Sequence, residues 1–113
     1  MTPDDSAPAN PHRGEASLDL AGVPRLLRPS FTALVAAEEE LGPLFALVER
    51  AGAGQLRLGE LAALFWHCLS PQGDLSREAV GEAVVAMGLA AASAPLRVLL
   101  GQILQGDAGP PAP

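Results

Sequence analysis

The sequence predicts an α+β fold that is mainly α, with an N-terminal β-hairpin followed by four or five short helices in a small bundle. Two observations carry this prediction. Near the N-terminus, apolar and polar residues alternate and then reach a glycine, a pattern typical of a half-buried hairpin. Further along, apolar residues recur at helical spacing. Hydrophobic residues make up 49% of the chain but aromatic residues only 4%, so burial depends on Ala, Leu and Val, a composition that favours helices.

The hairpin is predicted over residues 15–28. One face of its first strand is apolar and consists of Ala16, Leu18 and Leu20. Gly22, in the turn, is free to adopt a positive φ. The returning strand contains Pro24, which has no backbone N–H to donate. We therefore expect this strand to lie at a sheet edge.

The first helix is predicted to follow Ser30, whose hydroxyl can cap it, and to end at Gly42. Its apolar stripe is expected to comprise Phe31, Leu34, Val35 and Leu41. Pro43 can then open a short second helix, because proline is tolerated at the first helical position. The apolar face of the second helix consists of Leu44, Leu47, Val48 and Ala51.

Three more helices are predicted in the second half of the chain. The third helix has one apolar face, formed by Leu58, Leu61, Ala62, Phe65 and Leu69. After a type I turn at residues 70–73, Ser76 caps a fourth helix that Gly88 ends. Its inward face comprises Val80, Ala83, Val84 and Met87. The last helix carries a broad stripe of Leu96, Leu99, Leu100, Ile103 and Leu104. Pro95 fits that helix only within its first turn.

A chain of 113 residues forms one domain at most. We expect a disordered segment at residues 1–12, a single domain at 13–105 and a disordered Pro/Gly tail at 106–113. The N-terminus has acidic residues where a signal peptide needs basic ones. The longest uncharged run, residues 83–96, is too short to span a membrane. These features predict a cytoplasmic protein with no membrane partner.

The charge and the residue types exclude several classes of function. The net charge is −6 and no basic stripe is present, which argues against nucleic-acid binding. His67 and Cys68 are the only adjacent pair of metal-ligand or nucleophile–base type, and adjacent helical side chains point about 100° apart. We interpret them as a surface histidine beside a core cysteine. No catalytic motif occurs, so we expect no enzyme activity and no cofactor.

Three features are candidate partner-binding sites. Glu38, Glu39 and Glu40 lie in the last turn of the first helix, where acidic residues oppose the helix macrodipole. They form either a solvated face that favours the start of the next helix or an acidic patch for a basic partner.

The other two candidates are apolar. Trp66 lies at the border of the apolar stripe of the third helix. It is either a core residue that extends toward the surface or an exposed residue that anchors a partner. Leu96 and Leu100, on the last helix, either close the core or dock a partner helix or a second copy.

The order of the motifs resembles a known family. The matching segments are Asn10-Pro-His-Arg-Gly-Glu15, Leu18-x-Leu20-x-Gly22, Leu27-Arg-Pro-Ser-Phe-x-Ala-Leu34, Glu40-Leu-Gly42, Gly54-x-Leu56 and Asp74-Leu75-Ser76. Together they are similar to the gene transfer agent and phage tail family, whose members are described as tail assembly chaperones or tail tube proteins. The resemblance spans about residues 10–105. The segment 66–73 departs from it, because relatives tend to be glycine-rich there, and so does Pro95.

The resemblance implies a non-catalytic tail assembly chaperone. Such a protein would bind the long, helical tape-measure protein through apolar helix faces until tail tube subunits polymerise around it. One alternative is a structural tail component retained in the particle, such as a tube or minor tail protein. Another is a small cytoplasmic adaptor protein, which an absence of neighbouring tail genes would indicate.

Overall fold

The fold is known from a computed structural model, which describes residues 16–70, 72–73 and 75–106. The segments predicted to be disordered, 1–12 and 106–113, lie outside these residues except for Gly106. The elements in chain order are β1 (Ala16–Leu20), β2 (Val23–Leu27), α1 (Phe31–Leu41), α2 (Leu44–Gly52), α3 (Leu58–Cys68), α4 (Arg77–Met87) and α5 (Leu89–Gln105). The predicted α+β, mainly α fold is confirmed, with a two-stranded antiparallel hairpin followed by five helices.

The hairpin packs its predicted apolar face into the core. Its register pairs Leu20 with Val23 next to the turn, and the three predicted inward residues are buried, namely Ala16, Leu18 and Leu20. Ala21 and Gly22 both have positive φ, 54° and 83°. This is the backbone geometry of a two-residue turn whose twist matches that of the strands. Because Ala21 is not a glycine, its positive φ is strained and costs the hairpin about 1–2 kcal/mol.

Two features prevent the outer edge of β2 from pairing with a further strand. Antiparallel pairs alternate, and Leu20–Val23 is the hydrogen-bonded pair beside the turn, so the nitrogen of Pro24 points away from β1. The proline therefore removes no hydrogen bond from the hairpin and leaves no outward donor at that position. Beyond it, Leu26 accepts from the Ser70 N–H at 3.0 Å, and the Arg28 N–H donates to the Cys68 carbonyl at 2.7 Å.

The helix α3 forms the centre of the core. Residues 61–65 are all buried, so the middle of this helix is covered on every side rather than on one stripe, while its first turn is exposed. It packs against α1 and α4, while α5 covers β1. The largest fully buried side chains are Phe65, Leu18, Leu27, Leu47, Leu64, Leu99, Val80, Val84 and Cys68.

The predicted helix boundaries are largely confirmed by their caps. The Ser30 hydroxyl accepts from the Ala33 N–H, and the Ser76 hydroxyl accepts from the Ala79 N–H. Gly42 and Gly88 end α1 and α4 with positive φ, and each donates its N–H to a carbonyl four residues earlier. The turn predicted at residues 70–73 includes residue 71, which lies outside the described residues.

Three predictions about apolar stripes are wrong. Phe31 and Leu58 are 84% and 45% exposed, because each is the first residue of its helix and a helical side chain leans toward the N-terminus, past the packed surface. Leu104 is 60% exposed, one residue before α5 ends.

The prediction that Pro95 lies in the first turn of α5 is wrong. The helix begins at Leu89, directly after the left-handed Gly88, so Pro95 lies six residues inside it. It removes the hydrogen bond that Ala91 would otherwise accept.

We predict that Leu18→Ala lowers the free energy of unfolding by about 2–5 kcal/mol, because it leaves a cavity between the hairpin and the helices. The Leu18 side chain is only 1% exposed. Urea denaturation monitored by circular dichroism measures the change. Val23→Ala, in the same hairpin but 48% exposed, is the control and should cost less than about 1 kcal/mol. Equal losses for the two variants would show that the hairpin does not seal the core.

Candidate functional site

The three glutamates at the end of α1 have different environments. A carboxylate oxygen of Glu38 accepts from the Leu44 N–H at 2.9 Å, at the first turn of α2. This N–H has no partner within its own helix, and a carboxylate there also interacts favourably with the positive end of the helix. The interpretation that the acidic run favours the start of the second helix is thus confirmed for Glu38. Glu39 is exposed, and no hydrogen bond or ion pair joins it to the described residues.

Glu40 connects three helices. One of its carboxylate oxygens lies 2.8 Å from His67 Nε2 on α3, and the other accepts from the guanidinium of Arg77 on α4. The hydrogen bond from His67, aided by the Arg77 guanidinium, lowers the pKa of Glu40 against the opposing effect of desolvation. Charged hydrogen bonds of this kind are stronger than neutral ones. We call Glu40, His67 and Arg77 the carboxylate clamp.

The histidine of the clamp is not the surface residue that the sequence predicted. Its side chain is only 9% exposed, because α1 and Glu40 cover it. The neighbouring Cys68 is a core cysteine, as predicted. Burial raises the pKa of the Cys68 thiol to about 12, which keeps it protonated and unreactive at neutral pH.

Trp66 is held in place beside the clamp. Its indole N–H donates to the Leu75 carbonyl at 2.8 Å, and the Arg77 guanidinium lies over its ring, 4.8 Å from the ring centre. The Gln72 side-chain amide donates to the Trp66 carbonyl at 2.9 Å. The half-buried side chain therefore fixes the segment between α3 and α4. A role for Trp66 in partner binding stays a prediction.

The last helix closes the core, which was one of the two interpretations. Leu99 is fully buried, and Leu96 is half-buried against the same core. Leu100 is also half-buried. Val98 and Leu104 are exposed, at 39% and 60%. The predicted partner-binding residues lie on different elements: Leu96 and Leu100 belong to α5, Trp66 to α3, and the glutamates to the end of α1.

An open groove of about 810 Å³ runs between α3 and α4. Three of its residues are small, Gly59, Ala62 and Gly81, and two are large, apolar and exposed, Leu58 and Val85. A Cβ built on Gly81 would lie 3.6 Å from the Ala62 Cβ, so the two helices are in close contact at this point.

The charged residues of the groove come from α4. They are Arg77, Glu78 and Glu82, all of them exposed. Arg77 belongs to the carboxylate clamp, which therefore lies at one end of the groove. Sequence reasoning missed this feature. The available signal was a glycine in each of two predicted helices, Gly59 in the first turn and Gly81 in the interior, where glycine costs about 1 kcal/mol relative to alanine.

A separate ion pair, outside the clamp, links α2 to α3. Arg50 donates to Glu60 at 2.8 Å, and the same carboxylate oxygen accepts from the Arg57 N–H at 2.9 Å. These two hydrogen bonds, Arg50 first, lower the pKa of Glu60 to about 2. The pair fixes the loop before α3.

The comparison with protein families decides what kind of protein this is. The family model described as phage tail tube protein, GTA-gp10, matches residues 13–106. The chain belongs to this family. The resemblance seen in the sequence motifs is thus confirmed, and the protein is a tail protein of the phage or gene transfer agent type. No curated protein and no solved structure matches it.

Metal sites and membrane-spanning helices would each bear on what this tail protein can do. Within residues 16–70, 72–73 and 75–106, no group of three or more His, Cys, Asp or Glu side chains could hold a metal ion. In the same ranges no single helix has the length and apolar character to cross a membrane, although α4 and α5 together pass that test by length and composition, across a bend of 119°.

We predict that Glu40→Gln lowers the free energy of unfolding by about 1 kcal/mol, because it removes the charge that binds His67 and Arg77. Glu39→Gln is the matched control and should leave stability within about 0.5 kcal/mol of the parent. Chemical denaturation at neutral pH makes the comparison. If both variants behave alike, the clamp does not stabilise the bundle.

The clamp also predicts a pH dependence. Because the pKa of Glu40 is lower in the folded chain than its usual value of 4.5, its contribution is present above about pH 4.5 and is lost as the pH falls through the folded pKa. Urea midpoints measured from about pH 6 down to about pH 3 should therefore fall less steeply for Glu40→Gln than for the parent. Glu39→Gln should keep the parental slope, and a parental slope in Glu40→Gln would contradict the assignment.

Proposed function

We propose that this tail protein is a non-catalytic assembly chaperone, which binds the tape-measure protein through apolar helix faces in the cytoplasm of the bacterial host. The observation that carries the proposal is that each of the five helices exposes at least one large apolar side chain. The exposed residues are Phe31 on α1, Phe45 on α2, Leu58 on α3, Val85 on α4, and Leu89, Val98 and Leu104 on α5.

The degree of exposure supports a binding role. Single exposed apolar residues are ordinary, but Phe31 and Phe45 are each 84% exposed, in a chain with only three phenylalanines. A chaperone that holds amphipathic helices needs accessible apolar side chains that make many weak contacts. The net charge of −6 would help to keep the complex soluble.

The second candidate is a structural component that remains in the tail, such as a tube subunit. The description of the family favours it, because the family is named for the tail tube. The fold favours the chaperone instead. The described residues contain one sheet of two strands, and a tube subunit usually needs enough strands to close a β-ring.

We predict that co-expression with the tape-measure protein of the same gene cluster yields a soluble complex. The chaperone should raise the soluble fraction of the tape-measure protein and co-purify with it, because it covers the apolar faces of its helices. Affinity purification followed by size-exclusion chromatography measures both effects. The absence of a complex, together with no gain in solubility, would rule out the chaperone role.

Mass spectrometry of purified tail particles separates the two candidates. A chaperone should be absent from finished particles at stoichiometric levels, since it leaves when the tube forms. A retained tube or minor tail protein should be present in a fixed ratio to the other tail proteins. A fixed ratio would replace the chaperone with the structural role.

A further inference from the structure

We propose that the groove between α3 and α4 is the docking site for an amphipathic helix of the partner, one whose apolar face is bordered by Arg or Lys. This inference rests on the proposed function, since it names the surface and the kind of segment through which the partner would be held. It is carried by the shape, the apolar lining and the unbalanced charge of the groove.

The shape of the groove fits a helix. Gly59 has no side chain, and no heavy atom lies within 4 Å of a Cβ built on it, whereas Gly81 lets α4 pack closely on Ala62 of α3. The backbone of a partner helix can therefore approach closely at Gly59. The side chains of Leu58 and Val85, 45% and 62% exposed, provide apolar contacts beside these glycines. A helix that covered them would remove from water two of the large apolar side chains that the domain leaves exposed.

The length of the groove sets the size of the bound segment. On α4 the lining extends from Arg77 to Val85, a rise of about 12 Å at 1.5 Å per residue. That length corresponds to about two turns of a partner helix. A contact of this size is too small for tight binding alone, which suits a chaperone that must later release its partner.

The charge of the groove selects a basic segment. Glu78 and Glu82 are four residues apart on α4, and no hydrogen bond or ion pair joins either to the described residues. Like charges at this spacing destabilise a helix by about 0.2–0.5 kcal/mol, which a basic partner would offset. Arg77, the one cation in the groove lining, is already bound to Glu40 and stacked on Trp66.

A second copy of the chain fits the groove less well. Each copy carries a net charge of −6, so two copies repel one another at long range. The exposed apolar stretch of α5 has one cation, Arg97, beside Val98, and no second cation follows it in that helix. A partner helix with several basic residues matches Glu78 and Glu82 better.

The test uses the full chain with two probes. The first probe is a synthetic helical peptide of about four turns, with Leu and Ala on one face and Arg at its borders; a matched peptide carries Glu in place of Arg. The second probe is the tape-measure protein. Fluorescence anisotropy measures peptide binding, and co-purification measures the complex. We expect the Arg peptide to bind and the Glu peptide to bind at least about tenfold more weakly.

Variants locate the binding site. Val85→Asp and the double variant Glu78→Arg/Glu82→Arg should each weaken Arg-peptide binding about tenfold or more, and both should reduce tape-measure binding. The controls are Val23→Asp, an exposed valine of the hairpin, and Asp19→Arg/Glu49→Arg, a matched charge change at exposed positions outside the groove lining. Both controls should bind like the parent. Circular dichroism confirms that every variant is folded, as expected for changes at exposed positions.

The outcomes separate this inference from the proposed function. If the tape-measure protein binds but Val85→Asp and Val23→Asp bind it equally well, the groove assignment is wrong and the chaperone role stands. If the Arg peptide binds in the groove but the tape-measure protein does not bind, the groove stands and the chaperone role fails. If Val85→Asp converts a dimer into a monomer in size-exclusion chromatography, the occupant is a second copy and the proposal is overturned.

Discussion

The burial of the middle of α3 on all sides is the constraint on which the rest of the structure depends. Residues 61–65 are all apolar and buried, so other elements must surround this part of the helix, whereas its first turn stays exposed at the groove. α1 and α4 pack directly against it, and the segment that follows it, through Leu69, pairs with the end of β2. With so few aromatic residues, the core fills space with Leu, Val and Ala. The short hairpin is therefore needed to complete the enclosure.

Polar contacts then fix the order of the helices around α3. Glu40 joins α1 to α3 and α4, Glu60 joins α2 to α3, and Glu38 fixes the start of α2 after α1. Each carboxylate lies near a helix end, where backbone groups or arginines are available to it. The clamp has a further consequence for the surface. Because it holds Arg77 at one end of the groove, Glu78 and Glu82 remain the uncompensated charges there.

Much of the fold could be predicted from the sequence because its signals are local. The caps at Ser30 and Ser76 and the glycine stops at Gly42 and Gly88 depend on residues within one helical turn, and all four are confirmed. The features that could not be predicted from the sequence depend on tertiary contacts. The burial of His67 follows from Glu40, 27 residues away, and the groove depends on the packing of α4 at Gly81 against Ala62 of α3. No periodicity within one helix contains that information.

The closure of β2 also bears on how this tail protein can assemble. A ring built from sheets needs two free edges in every subunit, one for each neighbour. Here the edge of β2 is blocked by Pro24, which offers no donor, and by the backbone bonds of Leu26 and Arg28 to residues 68–70. At most one edge of the described sheet is left for pairing, so strand-to-strand addition would stop after one partner. The helices expose large apolar side chains, and on α4 one of these, Val85, lies in the groove with Glu78 and Glu82. The blocked edge of the sheet and the exposed helices together support the proposed role, in which the protein holds a helical partner.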